Sequence, residues 1–258
     1  MFFSWLRHFK RNRILAGPFP DEWEKILVRN VRHCKTLSDN SKRKLRDDLR
    51  IFVAAKNWEG CRGLELNDEI KVTIAAQIAI LTLGFESEYF DMVQSILVYP
   101  DAYVAPGQQI TKGGVVIEGD SSRQGEAWYR GPVILSWADA LAGGLNEADG
   151  HNLVFHEFAH QLDMQNGRVV DGTPPLSNSD QFDRWQTIIH LEYARLVDEC
   201  DRGVPTLLGP YGTTNIGEFF AVSTECFFER PAAMKQRHRE WYVVMAEYFN
   251  QDLCKTRQ

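Results

Sequence analysis

The chain of 258 residues lacks a disulfide framework. Its five cysteines, Cys34, Cys61, Cys200, Cys226 and Cys254, are odd in number, widely spaced and form no CxxC pair. A cross-linked secreted scaffold and a cysteine-based metal knuckle are therefore not expected, and a reducing cytosol suits the thiols. Basic excess is missing too: Lys+Arg 29 against Asp+Glu 35 leave a net charge of −6. Without a positive field to meet phosphates, direct nucleic-acid binding is not expected. The longest apolar stretch, residues 72–85, carries Thr73, Gln77 and Thr82 and falls short of the ~20 residues that cross a bilayer. It reads as a buried helix, not as a transmembrane segment. The start is aromatic and then basic (Phe2, Phe3 and Trp5 before Arg11 and Arg13), the reverse of a secretory signal. It reads as a frayed first helix, with a basic amphipathic segment touching a membrane or partner as the alternative, and a cytoplasmic protein is expected. Repeats and low-complexity tracts are absent, and 44% apolar with 25% charged residues describes an ordinary globular domain.

What is present falls into three zones. Residues 21–57 are helical in pattern and highly charged, with Leu27, Val31, Leu45, Leu49 and Phe52 spaced as apolar stripes. A second helix opens at Asn67-Asp68-Glu69, where a capping side chain precedes an acidic first turn, and it ends near Gly84. The middle holds short β-branched runs: Ser95-Ile-Leu-Val-Tyr-Pro100, Gly114-Val-Val-Ile-Glu118 and Gly131-Pro-Val-Ile-Leu-Ser-Trp137. They imply a small mixed β-sheet, with Trp128, Tyr129 and Trp137 in its core. Residues 143–150 read as a loop before a helix beginning near Asn152. Residues 181–200, 216–228 and 231–249 read as helices. The fold class is thus α+β, mostly helical with a small sheet. The expected organisation is a helical region, 1–66, packed on a core formed by 67–258.

The chemistry sits in His156-Glu157-Phe158-Ala159-His160. Residues four apart on a helix share a face, so both imidazoles can address one ion. Neutral histidine nitrogen is a good zinc ligand, and the glutamate beside the first histidine can reach a polarised water as general base. Composition alone would place this pattern in such a chain about 0.03 times. A core helix with two internally bonded histidines is the plain alternative, at the cost of desolvating three polar groups. A catalytic site needs a third protein ligand. The extended metzincin pattern is excluded, because Asp163 and Asn166 stand where it needs glycine and histidine. His190 is one candidate, and His151 would point off the ligand face. Glu218 is the better one: it lies among Phe219, Phe220 and Ala221 with Asn215 three residues earlier as a cap. That spacing equally fits the return half of a capping box, and spacing alone does not separate the two.

These segments, with Tyr211-Gly-Thr-Thr-Asn-Ile-Gly-Glu-Phe-Phe-Ala221, Glu59-Gly-Cys-Arg-Gly-Leu-Glu-Leu66 and Gly125-Glu-Ala-Trp-Tyr-Arg-Gly-Pro-Val-Ile-Leu-Ser-Trp137, resemble the Mlc titration factor A family of bacterial zinc peptidases. That family is in turn similar to the catalytic domain of anthrax lethal factor. The resemblance spans roughly residues 15–252 and implies a zincin-like core. It also implies one zinc ion held by His156, His160 and Glu218, with Glu157 as general base and Tyr211 stabilising the oxyanion. Val222 stands where lethal factor has a further glutamate, so support for the ligands would come from Asp163 or Glu225; a solvent-facing helix-end role for Asp163 is an equal alternative. The family further implies aminopeptidase-type activity on a peptide substrate, and association with the glucose-system repressor Mlc that relieves repression. A non-catalytic, repressor-sequestering protein with a structural zinc site is the competing expectation.

Overall fold

The apolar stretch at 72–85 lies at the centre of the molecule. A computed structural model describes residues 2–101, 108–110, 116–118, 131–167 and 169–256. Helices α1 (Phe2–Leu15), α2 (Asp21–Asn30) and α3 (Asp39–Ala55) precede α4 (Asp68–Leu81). Asn67 caps α4 by accepting the Ile70 amide at 3.0 Å. From Val72 to Leu81 every side chain of α4 is buried, because α2, α3 and two later helices surround it. The polar residues that interrupt its apolar run are each bonded inside: Thr73 accepts Asn30 Nδ2 at 3.0 Å, Gln77 donates to Ala140 O at 2.9 Å, and Thr82 donates to Ile78 O. Pairing of this kind removes the penalty of about 1–3 kcal/mol for a buried orphan polar group.

Three strands, β1 (Asn57–Gly60), β2 (Ser95–Tyr99) and β5 (Val133–Ser136), form one sheet in the order β1-β2-β5, all parallel. The short strands β3 (Gln108–Ile110) and β4 (Val116–Glu118) pair only with each other, antiparallel. The expected mixed sheet is therefore corrected to a parallel three-stranded sheet and a separate two-stranded ribbon. The reason is connectivity: each strand of the parallel sheet is separated from the next by a long crossover, whereas 108–110 and 116–118 are close enough in sequence to pair locally. In β2, Ile96 and Val98 are fully buried and their neighbours are half-buried, the alternation of a strand between two environments. Among the described residues β5 pairs on one side only, with β2.

Helix α5 (Trp137–Leu145) follows β5 directly, with Ser136 as its cap, so the loop expected at 143–150 begins later than its glycines imply. Those glycines serve close packing. A Cβ on Gly144 would stand 2.4 Å from the carbonyl oxygen of Asn30, and one on Gly143 would stand 2.9 Å from the Asn152 side chain. Trp137 accordingly heads a helix and is half-buried against the core instead of ending a strand; Trp128 and Tyr129 lie outside the described residues.

The second half of the chain supplies α6 (Leu153–Asp163), α7 (Ser179–Asp201), α8 (Ile216–Glu229), α9 (Pro231–Arg237), α10 (Arg239–Phe249) and α11 (Leu253–Thr256). The single helix expected over 231–249 is two helices, broken at His238, whose backbone leaves the helical region (φ −131°). There the buried imidazole meets Glu192 of α7, with Nδ1 at 2.7 Å from Oε2. Behind α8 an aromatic cluster joins these helices: Trp185 lies edge-on to Phe220 and Trp241, and Phe227 stacks on Phe249. Aromatic pairs of this geometry add about 0.5–1.5 kcal/mol each beyond their area burial, and they fix α8 against α7 and α10.

Candidate metal centre

Two helices face each other with matching starts. Asn152 caps α6 by accepting the Phe155 amide at 3.0 Å, and Asn215 caps α8 by accepting the Glu218 amide at 2.9 Å. The cap fixes the phase of each helix, so His156 and His160 project from one face of α6 with ring centroids 4.9 Å apart. Glu218 takes part in the cap through its amide, while its carboxylate reaches the histidines. Oε2 lies 3.0 Å from His156 Nε2 and 3.5 Å from His160 Nε2. Ligand atoms of His156, His160 and Glu218 all lie within 4.8 Å of one another, a set that could hold one metal ion.

The acid behind this set is Glu225, two helical turns along α8 from Glu218. It is 5% exposed; its Oε1 meets His156 Nδ1 at 2.8 Å and its Oε2 accepts the Asn152 amide at 2.5 Å. Asp163, weighed equally from the sequence, has a different station. It is fully buried, which overturns a solvent-facing role, and its oxygens accept the amides of Gly172 and Thr173. Burial pushes its carboxyl up to about 6. His190 and His151 are exposed and stand apart from the cluster.

The electrostatics follow from shared burial. Desolvation alone would lower the His156 pKa, but bonds from Glu218 and Glu225 hold it well above the usual imidazole value. Burial would raise Glu218, and the two imidazoles instead hold it well below the carboxylate range. Glu157, between the histidines in sequence, is raised by burial against the lowering pull of both imidazoles. Tyr211, in a short 3₁₀ turn at Pro210–Thr213, places its ring 5.9 Å from that of His156. Burial and the negative charge of nearby Glu218 raise its hydroxyl well above 10, so it stays protonated.

One residue near the centre carried no motif. Glu229, one turn beyond Glu225, is 2% exposed and accepts the amides of Gly150 at 2.9 Å and His151 at 3.0 Å. Together Glu225 and Glu229 take three successive amides, 150 to 152, just before α6 begins. The available signal was spacing: glutamates at 218, 225 and 229 share one face of an otherwise apolar helix.

The family described as Glucose-regulated metallo-peptidase M90 matches residues 6–250. A protein of Synechocystis sp. bearing the designation slr2042 is 39% identical over 249 residues, 95% of this chain and 89% of its own length. Proteins named Mlc titration factor A are similar as well. The one from Serratia proteamaculans is 30% identical over 80% of this chain and 81% of its own length, and that of Yersinia pestis is 28% identical over 90% and 84%.

Proposed function

The chain belongs to the M90 family of glucose-regulated metallo-peptidases, and on that premise we propose that it is a zinc-dependent peptidase of aminopeptidase type that also binds the repressor Mlc. The observation that carries the peptidase reading is the convergence of His156, His160 and Glu218 with Glu225 behind them. The donor set fits zinc: two imidazole nitrogens and one carboxylate oxygen leave a fourth position for water or substrate. His156 already has Nδ1 engaged by a carboxylate, which presents Nε2 to an ion. His160 Nδ1 is buried with no hydrogen-bond partner among the described residues, and its Nε2 faces Glu218.

When bound, a zinc ion supplies Lewis acidity, polarising a scissile carbonyl and lowering the pKa of water towards ~7. The rest is the work of the chain. Glu157, raised by burial, accepts the proton of the attacking water and returns it to the leaving amine. Tyr211, held protonated, donates to the developing oxyanion. Glu225 keeps the His156 ring oriented. The side of β5 without a strand partner among the described residues would offer backbone groups to an extended peptide, with modest sequence preference. The zincin-like reading of the core belongs to the same proposal.

Glu157→Gln is the test. It should retain one zinc per chain by elemental analysis and lose hydrolysis of amino-acid anilides by about 10²–10⁴-fold; an undiminished rate would sink the assignment. Mlc binding is supported by the names of the relatives at 28–30% identity. With a net charge of −6, any regulatory effect would run through the repressor protein, not DNA. Among the described residues no helix is long and apolar enough to cross a membrane, and a cytoplasmic site of action is part of the proposal. Co-purification with Mlc should be equal for wild type and Glu157→Gln; loss of Mlc with the base removed would make binding depend on catalysis.

A further inference from the structure

The segment that follows α6 ties the two ligand-bearing helices together. Asp163 closes α6 one turn beyond His160 and is fully buried. Each of its carboxylate oxygens holds one backbone amide, Oδ2 that of Gly172 at 2.7 Å and Oδ1 that of Thr173 at 2.8 Å. The Gly172 carbonyl accepts Trp185 Nε1 at 2.9 Å, which anchors the same turn to α7. Held in this way, the turn lies against the first residues of α8. Gly172 has φ +75°, and a Cβ there would stand 2.8 Å from the carbonyl oxygen of Ile216. From the other side, a Cβ on Gly217 would stand 2.3 Å from Val170 Cγ1. Glycine at both positions permits an approach that any side chain would prevent. The next residue of α8 is Glu218.

We propose that Asp163 is a positioning residue for the metal centre: by fixing residues 170–173 against the first turn of α8, it sets Glu218 opposite His156 and His160. This rests on the reading of those three residues as ligands. The mechanical argument is one of two tethers. Glu225 binds the middle of α8 to the start of α6 through His156 and the Asn152 amide. Glu218 lies seven residues from that tether, about 10 Å along the helix axis. Aromatic packing from Phe219 onward fixes the body of α8, and the Asp163 turn closes on the first turn ahead of it, where Glu218 stands. The histidines and Glu218 sit between the two.

The test is a double-mutant cycle in zinc affinity, measured by competition with a chromogenic chelator on the full chain. Asparagine has one acceptor oxygen and turns an NH2 towards the other amide, so Asp163→Asn releases half of the clamp while preserving volume; Thr173 N–H, which also reaches Asp171 Oδ1 at 3.1 Å, is the amide that can be let go. It should weaken zinc binding by about 10–100-fold, the usual effect of losing a residue that orients a ligand. In the Glu218→Ala background the same change should cost less than about threefold, since the ligand it positions is already gone. The visible absorption of the cobalt-substituted Asp163→Asn protein should shift towards that of Glu218→Ala, a readout independent of turnover. Equal penalties in both backgrounds, or wild-type affinity in Asp163→Asn, would overturn the inference. Wild-type affinity in Glu218→Ala would instead overturn the ligand reading beneath it. Should Asp163→Asn fail to fold by circular dichroism, Gly217→Ala poses the same question from the α8 side. There the added methyl meets Val170 Cγ1 at 2.3 Å and the Val170 carbonyl oxygen at 3.2 Å, which presses the turn away from α8, and the same dependence on Glu218 is expected.

Discussion

Replacing Glu225 by glutamine measures what one buried charge contributes to the metal centre. The carboxylate is 5% exposed and uses both oxygens, Oε1 on His156 Nδ1 at 2.8 Å and Oε2 on the Asn152 amide at 2.5 Å. Glutamine keeps the volume but has a single acceptor, so it can serve the imidazole or the amide, not both. The group left unpaired costs about 1–3 kcal/mol in this burial. Loss of the negative charge also makes His156 a poorer donor to a cation, an effect of about 10–100-fold in metal affinity, or ~1.4–2.7 kcal/mol. The two penalties separate in two assays. Urea denaturation of the metal-free protein reads the first, and zinc competition against a chelator reads the second. A zinc affinity within about threefold of wild type, far short of the tenfold that 1.4 kcal/mol represents, would refute the claim that Glu225 supports the ligand.

Two further outcomes follow from buried groups outside the ligand set. Burial pushes the Glu229 carboxyl up from 4.5 to about 9, with the neighbouring Asp149 carboxylate adding to it. The folded chain therefore binds a proton that the unfolded chain has released between those values, and wild-type stability falls as pH rises through the window. Glutamine does not titrate, so the stability of Glu229→Gln relative to wild type should grow by ~2–4 kcal/mol between about pH 5 and about pH 8.5. Urea midpoints at the two pH values check this, and a constant difference contradicts it. Gly144→Ala improves helix propensity by about 1 kcal/mol, yet its methyl would meet the Asn30 carbonyl at 2.4 Å. Backbone does not move aside cheaply, so a net loss of about 1–3 kcal/mol is expected by denaturation; a neutral or stabilised variant contradicts the packing argument.

The parts of this protein that were legible in its sequence are those set by short-range order. The starts of α4, α6 and α8 are marked by Asn67, Asn152 and Asn215, each bonding the amide three residues on. The four-residue step from His156 to His160 is a helical step, and the apolar run around Gln77 is a buried helix. What escaped depends on distant partners. Asn57-Trp-Glu-Gly60 has too little apolar character to mark a strand, and becomes β1 because β2 presents a free edge. Gly143 and Gly144 signal a loop until Asn30 and Asn152 are seen pressed against them. The break at His238 follows from Glu192, 46 positions away. The capping fit of Glu218 was resolved in a similar way: Asn215 caps its amide, while its carboxylate turns to His156. The role of Asp163 stayed open between two readings, and Glu229 drew no reading, because their amide partners lie in loops without any pattern of their own.

Helix α8 has a consequence of another kind. From Phe219 to Glu229 every one of its side chains is buried. Such a segment has no solvent-facing stripe through which to fray, so its amides exchange hydrogen only when the whole fold opens. Glu218 stands at the margin of this buried segment, and the histidines stand on a helix that is itself largely buried. An ion held between them would leave past His160 and Glu218, the more exposed side chains of the three, without either helix opening.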